Sequence, residues 1–443
     1  MSIVILKVMV ALTTGLLGVW MTRTRVLELP ESAFLRSAVC LQLIPSLLLF
    51  LALYVVGQRE PTSDVPAYYL PVARAVLHGQ VPFRDFISSY APLFPYVGAA
   101  LVSFWDSGKV FALFDIGLNA VTLLLWHLSA RACFDRSTSR YSTVLFASCG
   151  HVIVQGLLGT NQSWIAAALA ATALMIVRDR SVAAGLVQAM AACTTKILTH
   201  LFWPILWICA PRRSRWLVAA VIPTAAVYLV FVSLGSGSNL LYPLQYEANL
   251  RSSGNLPYLL DLFLSATGAA EQHIMDGLTA TALAVTLGWL FVRCWRVPPR
   301  QRPTLLPATL TLVSLTLMLF SKKSFTGYLI FVMYPLVLML MAAQSGMRPS
   351  NRNSRVGFLL IFNVLLVAEP SLWFHLNGWS HSLRGWLDSS DSRVAAGFVC
   401  VDLVLLGCYV YLGWLSVRCV QSTVDGAMAA RNATQSVTAC SLV

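Results

Sequence analysis

Charge is what this sequence has least of. Of 443 residues only 11% are charged, and acids are scarcer than bases, 18 against 31. Soluble domains carry about a quarter charged residues, so a chain that is 57% hydrophobic cannot hide its apolar surface in a water-surrounded core. Metal-binding patterns are missing as well. The ten cysteines show no CxxC or Cys/His spacing, and Cys40, Cys149, Cys193, Cys400 and Cys408 fall inside apolar runs, which excludes a zinc module or redox pair and makes them packing residues. No acidic cluster demands a metal, so neither metal nor cofactor is expected. Repeats of about 20 to 50 residues are absent, as is any soluble domain of useful size. The net charge of +13 does not point to nucleic acid, because the basic residues stand in short clusters between apolar runs and not along one polar face.

What the sequence has is long hydrophobic runs. A span needs about 20 mostly apolar residues, and candidates lie near 3–20, 36–56, 109–128, 142–158, 162–177, 182–210, 216–234, 276–293, 304–320, 326–342, 356–373 and 395–416. The expected fold is all-α: a polytopic membrane protein with about 11–13 transmembrane helices in a single domain, 1–418, followed by a mobile Ser/Thr/Ala-rich tail, 419–443. The first run, Ile3 to Trp20, has only Lys7 near its start and no small-residue cleavage site, so it reads as a retained helix. Asn161 and Asn432 match the glycosylation pattern, but one hugs a span and the other lies in the tail, so neither reads as an acceptor.

Arg23/Arg25, Arg212/Arg213/Arg215, Arg293/Arg296/Arg300/Arg302 and Arg348/Arg352/Arg355 mark cytoplasmic loops by the positive-inside rule, which puts 57–91, 235–275 and 374–394 on the other side. Two arrangements connect these ends. In one, 92–105 is a full span and 182–210 a single bent helix, leaving Arg131, Arg136 and Arg140 outside. In the other, 92–105 is re-entrant or interfacial and 182–210 is two short helices broken at Thr194-Thr195-Lys196. That returns the arginines to the cytoplasm and brings Lys196 to the outer face. Charge favours the second.

The outer loop 57–91 carries the polar chemistry. From Ala67 to His78 the apolar residues share one helical face, as in a short helix lying on the membrane surface; Gly79 ends it and Pro82 opens a turn. Asp64 precedes this helix and Asp85 follows it. By local sequence alone Asp64 is a helix N-cap and Arg84-Asp85 a surface ion pair. Tyr68 and Tyr69 read as interfacial anchors.

The block Asp64, Tyr68-Tyr69, Ala73 to Gly79, Phe83-Arg84-Asp85 and Tyr90-Ala91-Pro92-Leu93 resembles the GT-C superfamily of membrane glycosyltransferases, in its mannosyltransferase-type members. A second, weaker match is Ser321-Lys322-Lys323-Ser324-Phe325-Thr326-Gly327-Tyr328 running into Tyr334-Pro335-Leu336. The resemblance implies a polyprenyl-phosphate sugar donor, a lipid or glycan acceptor and an inverting single displacement at the non-cytoplasmic face. It favours the first of the two arrangements.

Such a transfer needs a carboxylate to take the acceptor's proton and cations to offset the leaving phosphate. Asp64 and Asp85 are the expected catalytic residues, and Arg84, Lys196, Lys322 and Lys323 the expected phosphate ligands. Ionisable residues inside spans usually face a cavity or a partner. Asp115, His127, His151, His200, Glu369 and Asp402 qualify, and Glu369 and His375, with Trp373 and Trp379 near, are the expected acceptor contacts. Asp115 and Asp402 also suit a transporter or lipid flippase, and Arg251 in a late outer loop a glycan polymerase or ligase.

Overall fold

The computed structural model describes residues 2–62, 64–235, 237–248, 252–260, 271–342, 349–377 and 392–440. Among them the chain is helical, with a lone bridge between Pro82 and Phe86. Eight helices are long and apolar enough to cross a membrane, and the bent pair Arg136–Ala147 and Gly150–Leu158 makes a ninth when taken as one span. The protein is thus an all-α, multi-pass membrane protein.

In chain order the helices are α1 Ser2–Met21, α2 Glu31–Phe50 with a wider π-wound extension Leu51–Val56, α3 Leu70–Leu77, α4 Phe94–Phe104, α5 Lys109–Cys133, α6 Arg136–Ala147, α7 Gly150–Leu158, α8 Gln162–Val177 and α9 Ser181–Thr194. There follow α10 Trp203–Cys209, α11 Arg213–Leu234, α12 Gly237–Ala248, α13 Glu271–Trp295, α14 Leu306–Phe320, α15 Met333–Ala342, α16 Pro349–Asn377 and α17 Ser392–Cys440. The segment that the sequence assigns to a tail continues α17 without a break, and Val420, Val424 and Ala427 are buried along it.

Lipid offers no hydrogen bonds and gives apolar side chains no reason to leave it, so contact between helices rests on small residues and satisfied polar groups. Gly150 lets α7 approach Ala11 of α1 so closely that a Cβ would meet the Ala11 backbone at 2.3 Å, and Gly185 does the same between α9 and Trp216 of α11. Asn363 joins three helices: its Oδ1 accepts from the His151 amide at 2.8 Å and its Nδ2 donates to Ala11 O at 3.2 Å. Hydroxyls inside helices, among them Thr122, Ser129 and Thr316, donate back to the carbonyl one turn earlier.

The bundle has two chemically distinct ends. At one, Arg140 donates to the carbonyls of Leu27 and Leu29 and to Glu31, and Arg131 reaches the same carboxylate at 3.5 Å. These arginines therefore gather around the loop that carries Arg23 and Arg25. The other end lies beyond the 26 residues of α2 and its extension, about 39 Å of helix.

Two local features of the second arrangement are present, a short helix over 94–104 and a break within 182–210. Helix α4 starts beside the break after α9, where the amides of Ala91 and Leu93 donate to the carbonyls of Thr195 and Cys193. It ends beside the same face, where Asp106 pairs with Arg74 and Lys109 with Glu60. Eleven residues reach about 16 Å, half the ~30 Å hydrocarbon layer, so α4 is too short to cross it alone. The stretch 182–210 is two pieces parted at Thr195-Lys196, because Lys196 leaves the helical ladder to reach Asp64.

Candidate functional site

The site begins where α2 ends. After the extension to Val56 the chain turns, and Asp64 heads a π-wound segment, Val65–Tyr69, that passes into α3. The apolar face of this short helix packs Val65, Tyr69 and Ala73 against Phe94, Val102 and Phe111. Gly79 closes it at φ 80°, the left-handed conformation that glycine takes without cost. Asp64 makes no side-chain cap; its carboxylate turns instead towards Tyr90.

Tyr90 OH donates to Asp64 Oδ2 at 2.9 Å. Burial pushes the Tyr90 phenol well up, with Tyr69 and the Asp64 charge adding to it, so the hydroxyl keeps its proton and serves as a donor. Tyr69 stands edge-on to Tyr90, ring centroids 5.0 Å apart, and its hydroxyl accepts from the Asn161 amide at 3.0 Å. It is completely buried, so it is a structural strut and not the interfacial anchor the sequence suggests. Tyr68, its neighbour, is 36% exposed.

Lys196 comes to the same carboxylate from the break after α9. Its Nζ lies 3.8 Å from Asp64 Oδ2 and stands over the rings of Tyr90 and Tyr328, 5.2 and 5.8 Å from their centroids. The Lys196 side chain is 9% exposed and that of Asp64 35%, so the cation is deep and the carboxylate nearer the surface. Lys323 brings a second amine nearby. Burial pushes it down to about 6, the nearby Lys196 charge pushes the same way, and Asp64 opposes both. One buried and one half-buried amine thus lie in the field of the Asp64 carboxylate.

The adjacent lysine is differently engaged. Lys322 Nζ is 2.9 Å from both oxygens of Asp276 on α13. No sequence signal pointed to Asp276.

Arg84 and Asp85 form a unit of their own. Arg84 Nε and Nη2 bind the two Asp85 oxygens at 2.9 and 2.7 Å, and the Val81 amide donates to Asp85 Oδ2 at 2.7 Å. These bonds, the Arg84 guanidinium foremost, hold the Asp85 carboxyl down to about 2. The turn rests on α11 and α12, where Asn239 donates to Phe83 O at 3.0 Å. Both side chains are partly exposed, 49% and 30%, and among the described residues no hydrogen bond or ion pair ties them to Asp64.

Glu369 on α16 is buried and accepts from Ser253 Oγ. Gly254 packs over its carboxylate, and the same loop crosses the lysine segment, with the Ser252 amide donating to Lys322 O at 2.9 Å and the Ser324 amide to Ser252 Oγ at 2.9 Å. Glu369 therefore adjoins the Lys322 loop. For His375 and Trp373 only the helical backbone is described, and Arg251 and Trp379 lie outside the described residues. Among the described residues no group of three or more His, Cys, Asp and Glu side chains could hold a metal.

No protein-family model matches the chain, and no curated protein matches it. Among solved structures, the apo crystal structure of the oligosaccharyltransferase from Archaeoglobus fulgidus matches at a TM-score of 0.36 and 12% identity, over 87% of this chain and 56% of that one. The chain thus spans little more than half the length of that protein.

Proposed function

We propose that the protein is a membrane glycosyltransferase that moves a hexose, mannose by the motif it resembles, from a polyprenyl-phosphate carrier to a lipid or glycan acceptor. The observation that carries this reading is the approach of the buried Lys196 to Asp64, 3.8 Å, at the end of the bundle opposite the arginines. By the positive-inside rule that end faces away from the cytoplasm.

The acceptor oxygen attacks the anomeric carbon as the bond from that carbon to the phosphate oxygen breaks. Asp64 takes the hydroxyl proton, and the leaving phosphate keeps the bond's electron pair. Lys196 and Lys323 then offset the charge that grows on the phosphate, where a buried cation is worth most. One displacement inverts the anomeric configuration and needs no covalent sugar intermediate. Arg84, held by Asp85 on an exposed turn, would meet the donor phosphate as it enters, and Glu369 with His375 would receive the acceptor beside the Lys322 loop.

The test is to incubate the purified protein in bilayers with radiolabelled polyprenyl-phosphate mannose and a membrane lipid extract. Labelled glycolipid and free polyprenyl phosphate in equal amounts are expected. If neither forms with mannose, glucose or galactose donors, the reading fails. Lipid flipping without transfer would instead support a flippase, a reading that draws on the buried Asp402 carboxylate within α17.

A further inference from the structure

At the arginine end, away from Asp64, the starts of α11 and α14 and the end of α13 enclose an open concavity. It is lined by Arg212, Arg213, Arg215 and Arg302 with Pro211, Ser214 and Pro299. Four guanidinium groups in one hollow need counter-charge, and among the described residues the acid that pairs with them is Asp179, which reaches Arg212 at 3.5 Å with both side chains more than half exposed.

Arg302 and Arg213 are held by neutral groups. Arg302 donates to the carbonyls of Val297, Trp295 and Ile208 at 2.8, 3.4 and 3.5 Å. Arg213 lies flat on Trp295, its guanidinium carbon 3.8 Å from the ring centroid, with Trp207 at 5.8 Å. Carbonyls and rings orient a guanidinium and leave its positive charge uncancelled. Helix α11 also starts here without a side-chain cap, so the partial positive charge of its N-terminus adds to the arginines.

The hollow opens onto an apolar wall. Leu217, Val218 and Ile222 of α11 and Phe291, Val292 and Trp295 of α13 are 40–60% exposed. Trp207 bridges the two helices, stacked on Phe291 at 6.3 Å, and Phe291 stacks in turn on Trp295 at 5.2 Å. A soluble anion would use the arginines and leave this wall empty. A lipid would use both.

We propose that this concavity binds the phosphate headgroup of an anionic phospholipid, with an acyl chain lying along the wall formed by α11 and α13. Arginine suits the task because its planar fork meets two phosphate oxygens at once, and a membrane-surface location raises the local concentration of the ligand. The site is separate from the proposed catalytic end and does not depend on that reading.

The experiment is native mass spectrometry of the full chain from mixed micelles of phosphatidylglycerol and phosphatidylcholine. The wild type should retain phosphatidylglycerol selectively. A direct charge-assisted bond to the phosphate contributes about tenfold, so R212Q/R213Q should retain roughly 100-fold less. R212Q/R215Q, which leaves the stack on Trp295 intact, should also lose most of it. R23Q/R25Q, with the same charge removed from the same end but no direct bond to the phosphate, should lose less than about twofold in physiological salt. Equal losses in the site variants and R23Q/R25Q would mean diffuse charge attraction and overturn the proposal. So would equal retention of phosphatidylcholine, or displacement of the lipid by millimolar glycerol phosphate, which would mark a site for a soluble phosphate.

Discussion

The Lys196 ammonium lies 3.8 Å from Asp64 Oδ2, linking the break after α9 to the head of the surface segment. The contact orients the carboxylate as well as balancing the cation, so a substitution at Asp64 has to separate chemistry from folding. D64N keeps an oxygen for the Tyr90 hydroxyl but cannot accept a proton. Loss of a general base costs about 10²–10⁴ in rate, so sugar transfer should fall by at least about 100-fold with membrane insertion unchanged. Transfer assays paired with size-exclusion profiles check this, and full activity in D64N would reject Asp64 as the base.

Tyr90 holds the same carboxylate from the other side. Y90F keeps the ring that Lys196 stands over and removes only the donated hydrogen bond. A neutral donor to a charged acceptor is worth about 1.5–3 kcal/mol, so the transfer rate should drop roughly 10- to 100-fold, less than in D64N. A rate equal to wild type would mean that the Tyr90 hydroxyl does not position Asp64.

Lys322 and Lys323 are neighbours in sequence and opposites in role. Lys323 faces the Lys196–Asp64 pair, whereas Lys322 is bound to Asp276. K323A should raise the KM for a polyprenyl-phosphate sugar with a smaller effect on thermal stability. K322A should do the reverse, because it removes a tether between α13 and the loop after α14. D276A leaves the buried Lys322 ammonium, 6% exposed, without this partner and should cost more stability, part of which K322A added to D276A should recover. Matching KM changes in K323A and K322A would contradict this division.

Proton linkage gives an independent reading of Lys323. Its empty-site value of about 6 means the amine is largely neutral at pH 7.5, and a phosphate placed beside it favours the charged form. Donor binding should therefore take up a proton at pH 7.5, and affinity should weaken as pH rises above about 6. Titration calorimetry in buffers of different ionisation enthalpy measures the uptake, which should approach one proton per donor and shrink below pH 6. Zero uptake at pH 7.5 in wild type, or undiminished uptake in K323A, would exclude the assignment.

Much of the architecture was legible because lipid imposes it. Apolar runs and Gly79 at the end of a short amphipathic helix are local signals, and the helices follow them. The Asp64 to Leu93 block likewise brought Asp64 and Tyr90 together in sequence. What pattern could not supply was contact between distant segments. The approach of Lys196 to Asp64 depends on backbone bonds between distant segments, which tie Ala91 and Leu93 to Thr195 and Cys193. Tyr69 resembled an anchor because tyrosine next to a surface helix usually is one; Phe94 and Phe111, packed over it, bury it instead. Asp276 carried no signal at all, since a single acid near the start of an apolar helix is unremarkable until Lys322 is beside it.

Two left-handed glycines separate backbone strain from crowding. Gly79, at φ 80°, has open space where a Cβ would stand, whereas Gly159, at φ 68°, would place it 2.9 Å from the Ala112 amide nitrogen and 3.1 Å from Phe111 Cβ. An alanine in this conformation costs about 1–2 kcal/mol, the expected loss of stability in G79A. G159A adds the overpacking penalty, about 1–3 kcal/mol, because backbone cannot move aside as a side-chain tip can. The second change also reaches the site. Gly159 closes the turn into α8, and two residues on the Asn161 amide fastens the Tyr69 hydroxyl that stands against Tyr90. G159A should therefore lower both the thermal midpoint and the transfer rate, while G79A lowers mainly the midpoint. Equal midpoints for the two variants would show that the contact with α5 gives way more easily than packed backbone should.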